Sequence, residues 1–366
     1  MDPRVEDHAD VIVDHSIDLR AGDEVLITAP PAAEELAVAL AERVGERGAY
    51  SLSMGGNSRA RRAFMRAMDP DDYDEVPDVV EAMVDSVDAM VSIRASRNTH
   101  ETSDVPPEKN AAYAKIMEPL FDAVADKRRV ITQYPAPGDA QAAEMSTAAY
   151  EAFVYDAVTK DWDEQREFQA SMVEILEGAD EVRIVSGDTT DVTMSVAGMN
   201  PVNDYAEKNL PGGEVFTAPV PDSVEGEVLF DKPLMAQGRE VEDVRLVFEG
   251  GEVVDSSAAK NEGVLAAMLD TDPGAKRVGE LGIGMNRDID RFTYNMLFDE
   301  KMGDTVHMAL GRAIPENVPD DGDVEANESA VHTDMIVDMS EDSYIEVDGE
   351  VVQRDGTFRF EDGFDA

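Results

Sequence analysis

The chain has 366 residues, carries 80 Asp and Glu against 31 Lys and Arg for a formal charge of -49, and contains no cysteine. With so few cations it is poorly equipped to neutralise phosphates, which argues against nucleic acid as a partner. The missing cysteine excludes disulfides, thiolate catalysis and sulfur-ligated zinc, leaving oxygen and nitrogen as the donors for any metal.

Length favours two domains. The periodicity predicts a first helix over 5–17, with Val11, Ile12 and Val13 inward and with His8 and His15 on one face in structural roles. The run EVLITA, Glu24 to Ala29, reads as a strand buried on both faces. Pro30 and Pro31 open a helix that reaches Arg47 and is ended by Gly48, and 49–54 forms the next strand. This βαβ unit implies parallel pairing and a right-handed crossover. Helices over 58–68, 76–87 and 106–125, with strands over 89–94 and 129–133, complete an α/β, doubly wound domain expected over residues 1–175. It lacks nucleotide signatures: Ala29-Pro30-Pro31 follows the first strand, and no G-x-x-x-x-G-K-[ST] word occurs.

Residues 145–176 form two helical pieces hinged near 159–163, with Trp162, the single tryptophan, as a packing anchor. Beyond Gly178 the texture changes to short strands, over 181–186, 192–196, 226–229, 244–249 and 252–256, divided by Gly, Pro and Asp turns. Gly250-Gly251 marks a hairpin, and 260–270 reads as a helix. Residues 176–366 are therefore expected to be an α+β domain. No apolar run approaches the roughly 20 residues of a membrane helix. The acidic opening MDPRVEDHADVIVD is unlike a secretory signal, so a cytoplasmic address without membrane contact is expected. The charge reads as adaptation to concentrated salt, which screens self-repulsion.

The chemistry concentrates in VGELGIGMNRDIDRFTYNMLFDEKMGDTVHMALG, residues 278–311, with Glu214 in NLPGGEVFTAP upstream and His332 and Asp334 in SAVHTDMIVD downstream. Carboxylates and imidazoles among turn-forming glycines suit a divalent ion. His332 and Asp334 lie two apart in a predicted strand, which puts both on one face. Glu280, tightly flanked by Gly279 and Gly282, is expected to be partly buried and so to need a cation. Taken singly, each has an ordinary alternative: a turn carboxylate for Glu214, a hydrogen-bonded core histidine for His307, a chance pair for His332 and Asp334.

These words, together with AGDEVLITAPPAAEELAVALAERVGERGAY and YPAPGDAQAAEMSTAAYEAF in the N-terminal half, resemble the aminopeptidase T and aminopeptidase S group of M29 metallo-aminopeptidases over nearly the whole chain. With the charge, the resemblance suggests a halophilic archaeal member. It implies two divalent ions held by Glu214, Glu280, His307, His332 and Asp334, with Glu300 a further ligand and Glu280 the bridge. Zinc, cobalt and manganese all suit such donors. It also implies that Glu280 and His307 serve catalysis, that a metal-activated water releases N-terminal residues from short peptides, and that the enzyme is a homodimer. One position departs from the pattern. The family's tyrosine, seven residues beyond the histidine of the H-x-A-L-G word, is Ile314 here, which leaves a metal-binding relative with weak or lost peptidase activity as the alternative. Tyr294 or a water would then have to replace the lost hydroxyl.

Overall fold

The run EVLITA takes the place its composition demands, with Val25, Leu26 and Ile27 buried in the middle of a parallel sheet. In the computed structural model, which describes residues 1–365 apart from 74, 126, 237–238 and 320–323, Glu24–Ala29 pairs with Tyr50–Gly55 on one side and Ala89–Arg94 on the other. Arg128–Gln133 extends the sheet, and the two-residue strand Asn209–Leu210 closes it, all parallel. Helices between successive strands give the doubly wound order read from the sequence. The first helix is shorter than its periodicity suggests: Asp2 caps Pro3–Val11 by accepting from Arg4 N at 3.0 Å, and Ile12–Ser16 widens into a π turn. His8 is buried with Nε2 2.8 Å from Thr132 Oγ1, and His15 stacks on Trp162. Trp162 is itself buried and donates Nε1–H to Val158 O at 3.1 Å, a packing contact.

The chain divides into Met1–Trp162 with Ala206–Gly212, and Asp163–Tyr205 with Gly213–Ala366. The division thus differs from the expected one at 175/176. The helix Trp162–Leu176 supplies Met172 and Leu176 to the core of the second unit. The return of 206–212 to the first sheet is a pairing across some 77 residues, which local periodicity cannot reveal.

The second unit is built on two antiparallel sheets. Eight strands form one, including Glu181–Ser186, Thr190–Ser195, Glu225–Phe230, Val244–Glu249 and Glu252–Ser257, close to the predicted spans. The last two meet at Gly250-Gly251 with φ of +57° and +78°, as a tight hairpin requires. The other sheet has five strands in the order His332–Asp338, Thr305–Gly311, Val278–Gly284, Glu214–Thr217 and Val202–Asp204. One apolar core unites the two: Val182, Ile184, Val228 and Phe248 of the larger sheet with Val215, Ile283, Met308 and Met335 of the smaller, closed by the helix Glu262–Leu269. Among the described residues no helix is long and apolar enough to cross a membrane.

Candidate metal centre

Alternation along the five-stranded sheet sorts its side chains into two faces. Val215, Leu281, Ile283, Val306, Met308, Leu310, Met335 and Val337 point into the core. Their neighbours point the other way, and the register brings the polar ones together: Gly284 opposite Glu214, Gly282 opposite His307, Glu280 opposite Ala309, Ala309 opposite Asp334, and Gly311 opposite His332. A bulge between Val278 and Glu280 completes the sorting. In a regular strand Val278 and Glu280, two residues apart, would share a face. With the bulge, Val278 enters the core while Glu280 joins the acidic side. Small residues at 282, 284, 309 and 311 leave space for the ligands between them. At Gly282 the fit is tight, since a Cβ there would lie 2.0 Å from His307 Cε1.

Two triads result, Glu214–Glu280–His307 and Glu280–His332–Asp334, each with its donor atoms within 4.8 Å of one another. His307 Nε2 lies 3.3 Å from Glu214 Oε2 and 3.4 Å from Glu280 Oε1, while His332 Nε2 lies 3.4 Å from Glu280 Oε2 and 3.6 Å from Asp334 Oδ1. Glu280 therefore turns one oxygen to each triad. His332 Nδ1–H donates to Arg312 O at 2.8 Å, which leaves the Nε2 lone pair for the acidic side. Glu214 Oε2 is buried and has no hydrogen-bond partner among the described residues. A buried carboxylate oxygen in that state is costly, and a cation at the triad would satisfy it.

Glu300 joins neither triad; its Oε1 takes the ammonium of Lys301. Lys301 was not singled out by the sequence reading, yet it is 0% exposed and sits among Glu300, Glu214 Oε1 at 3.0 Å and Asp204 Oδ2 at 3.7 Å. Its one sequence signal was scarcity, a lysine closing the run MLFDEK in a chain that has few. Other supports were equally silent. Gln169 donates to Glu214 O at 2.8 Å and Asp204 O at 3.1 Å, fixing the backbone that carries the Glu214 side chain. Asp299 accepts from Thr293 N, Thr293 Oγ1 and Asn295 N at 2.7 to 2.8 Å, which clamps the turn before Glu300; burial pushes its carboxyl up to about 7.

Electrostatics in this pocket follow from crowding. Burial pushes Glu214 up to about 8 against the pull of Lys301, and burial with the Glu300 charge pushes Asp334 up to about 6. For His307 burial opposes the charged form, but the Glu280 hydrogen bond and the charges of Glu214, Glu280 and Asp334 carry it up to about 10; His332 is raised for similar reasons. Burial likewise opposes the Lys301 charge, and its carboxylate neighbours outweigh it, holding the ammonium well above the ordinary lysine value. Glu300 is pushed up by burial and pulled further down by Lys301 and the imidazoles. Glu214 and Lys301 are both raised although they are partners: their 3.0 Å contact favours the ion pair, while burial first and the Glu300 and Asp204 charges next work against the Glu214 carboxylate. The cluster gathers more negative than positive groups, so a cation bound there would compete with protons for its donors.

The model of the thermophilic metalloprotease family, M29, matches residues 1–359. The chain belongs to the M29 family. Similar M29 relatives are aminopeptidase T of Thermus aquaticus, 29% identical over 95% of this chain and 94% of that one, and aminopeptidase 2 of Geobacillus stearothermophilus, 26% identical over 98% of each. The structure of wild-type AmpT from Thermus thermophilus superposes with a TM-score of 0.86 at 26% identity, covering 98% and 99% of the two chains. A 2,5-dihydroxypyridine dioxygenase from Pseudomonas putida KT2440 shares the fold alone, with a TM-score of 0.62 at 13% identity. The two-domain α/β and α+β architecture expected from the sequence is thus that of an M29 protein. At the position of departure, Ile314 precedes the 3₁₀ turn Pro315–Asn317, and Tyr294 gives its hydroxyl to Glu240 Oε1 at 3.0 Å.

Proposed function

We propose that this chain is a metal-dependent aminopeptidase that removes N-terminal residues from short peptides and works with two divalent ions, zinc, cobalt or manganese. The observation that carries the reading is Glu280, whose two oxygens each complete a different triad. Glu214, Glu280 and His307 would hold one ion and Glu280, His332 and Asp334 the other, with Glu300 a further donor through the oxygen that Lys301 does not hold. Charge supports the count: with neutral imidazoles, the five carboxylates of Asp204, Glu214, Glu280, Glu300 and Asp334 against one ammonium leave four negative charges, which two divalent ions would balance. Bound ions of this kind supply Lewis acidity and a water that ionises near neutral pH. The chain's own part is to fix the donors on a rigid sheet, exclude bulk water at Glu214 and His307, and leave the half-buried side near His332 open to a substrate.

The test is hydrolysis of aminoacyl amides in concentrated salt. Chelation should abolish turnover, a divalent ion should restore it, and N-acetylated substrates should resist. Turnover that survives exhaustive chelation would remove the metal from the reaction. A second reading rests on Ile314, which offers no hydroxyl where the family has one: stoichiometric metal with no turnover on a panel of dipeptides would establish a binding protein in place of a peptidase. A cytoplasmic homodimer completes the proposal, checked by light scattering of the native protein.

A further inference from the structure

We propose that Lys301 is a positioning residue that makes the two halves of the metal centre unequal, leaving the Glu214–Glu280–His307 triad the weaker ion site. The proposal rests on the metal-binding reading above. Lys301 Nζ holds Glu214 Oε1 at 3.0 Å, while Oε2 of the same carboxylate faces His307 Nε2 at 3.3 Å. Its oxygens are thus divided, one to the ammonium and one to the triad, so Glu214 can offer an ion a single oxygen where a free carboxylate could offer two.

Lys301 cannot swing away. It is fully buried, and Glu300 and Asp204 brace it from other directions. A fixed positive charge next to a divalent ion, in a place water barely screens, opposes that ion's entry. The other triad lacks this handicap. Among the described residues its carboxylates pair with imidazoles and with no lysine or arginine, its His332 is preset by Arg312 O, and it is more open, with side-chain exposures of 25% at His332 and 15% at Asp334 against 1% at His307 and 6% at Glu214. The outer triad should therefore fill first and more tightly.

The experiment titrates metal-free full-length protein with Co²⁺ in concentrated KCl, followed by calorimetry and by visible absorption, which reports the ligand set of each ion. Wild type should take up two equivalents in two resolved steps. Lys301→Met should tighten the weaker step by about tenfold or more, because removing one fixed charge at close range in a poorly screened site is worth at least that much. The same substitution should leave the tighter step nearly unchanged and alter only the later absorption change. Lys301→Arg, which keeps the charge, should keep the gap. Glu214→Gln, with Lys301 in place, should delete the weaker step and preserve one equivalent at wild-type affinity, and it decides the matter if Lys301→Met does not fold. The proposal falls if Lys301→Met leaves the weaker step alone or weakens both alike, if Glu214→Gln removes the tighter step, or if two equivalents bind wild type in one unresolved step. No uptake of Co²⁺ by wild type would instead overturn the metal-binding reading on which the proposal rests.

Discussion

Ile314 and His8 show how much a single side chain can be made to report. If relatives use a tyrosine hydroxyl at this position to support the reaction, an isoleucine forfeits it, and one lost donor of that kind typically costs about 10²- to 10³-fold in turnover. Ile314→Tyr should therefore raise kcat by about 10²-fold with little change in KM; a flat response would mean that another group already supplies the donor. His8 bears on stability. Burial holds its imidazole down to about 3 from an ordinary 6.5, so between those values the unfolded chain binds a proton that the native chain refuses. The contribution is fully present above pH 6.5 and is lost as pH falls toward 3, at about 1.4 kcal/mol per pH unit. Relative to His8→Gln, wild type should lose stability along that slope in denaturant titrations from pH 7 down to about 4; parallel curves would place the proton elsewhere. At this scale the sequence was partly legible. The spacing of His332 and Asp334 announced a shared face, because strand alternation is a local rule. Lys301 announced little beyond its scarcity, since a lone lysine after Asp299 and Glu300 reads as a solvated charge until the fold buries it.

At the scale of elements, the five-stranded sheet turns a scattered set of letters into a site. The strand Val278–Gly284 has no exposed position, and its glycines replace side chains that would collide with the strand Thr305–Gly311 and the turns around it. Gly282→Ala puts a methyl against the His307 ring. Overpacking of this kind costs about 1–3 kcal/mol, and here part of the strain should appear as a displaced imidazole. The expected result is a lower melting temperature in chelator together with reduced Co²⁺ uptake; an alanine variant that keeps both would show that the ring moves without consequence. The bulge at Gly279 was beyond sequence reading. A glycine in a strand hints at irregularity, but whether one extra residue reverses the facing of Val278 or of Glu280 depends on the partner strand. Parallel pairing in the first unit was legible because alternating strands and helices with short joins admit few topologies.

Across the whole molecule, net charge is the dominant variable. Self-repulsion among 80 acidic residues weakens as the screening length contracts from about 10 Å at 0.1 M salt to about 3 Å at 1 M. Melting temperature and refolding yield should therefore climb steeply with KCl, and a melting temperature that is flat or falling would refute the adaptation to salt. Several ion pairs among the described residues are exposed, as between Arg20 and Asp18 or Arg183 and Asp191, and such pairs add little. Stability at high salt must rest on the cores. The chain-wide plan was legible as two domains, whereas the crossing of 206–212 into the first unit was not, because it belongs to neither local pattern nor neighbouring element.

The sheet that carries the candidate ligands has Met308 and Met335 on its reverse, in the apolar core. Chemistry and cohesion are thus separated by the thickness of one backbone layer. On the metal-binding reading proposed above, trimming a methionine on the dry side should re-aim an imidazole or carboxylate it never touches, so that selectivity for one ion over another would be tuned from behind, with every candidate donor left in place.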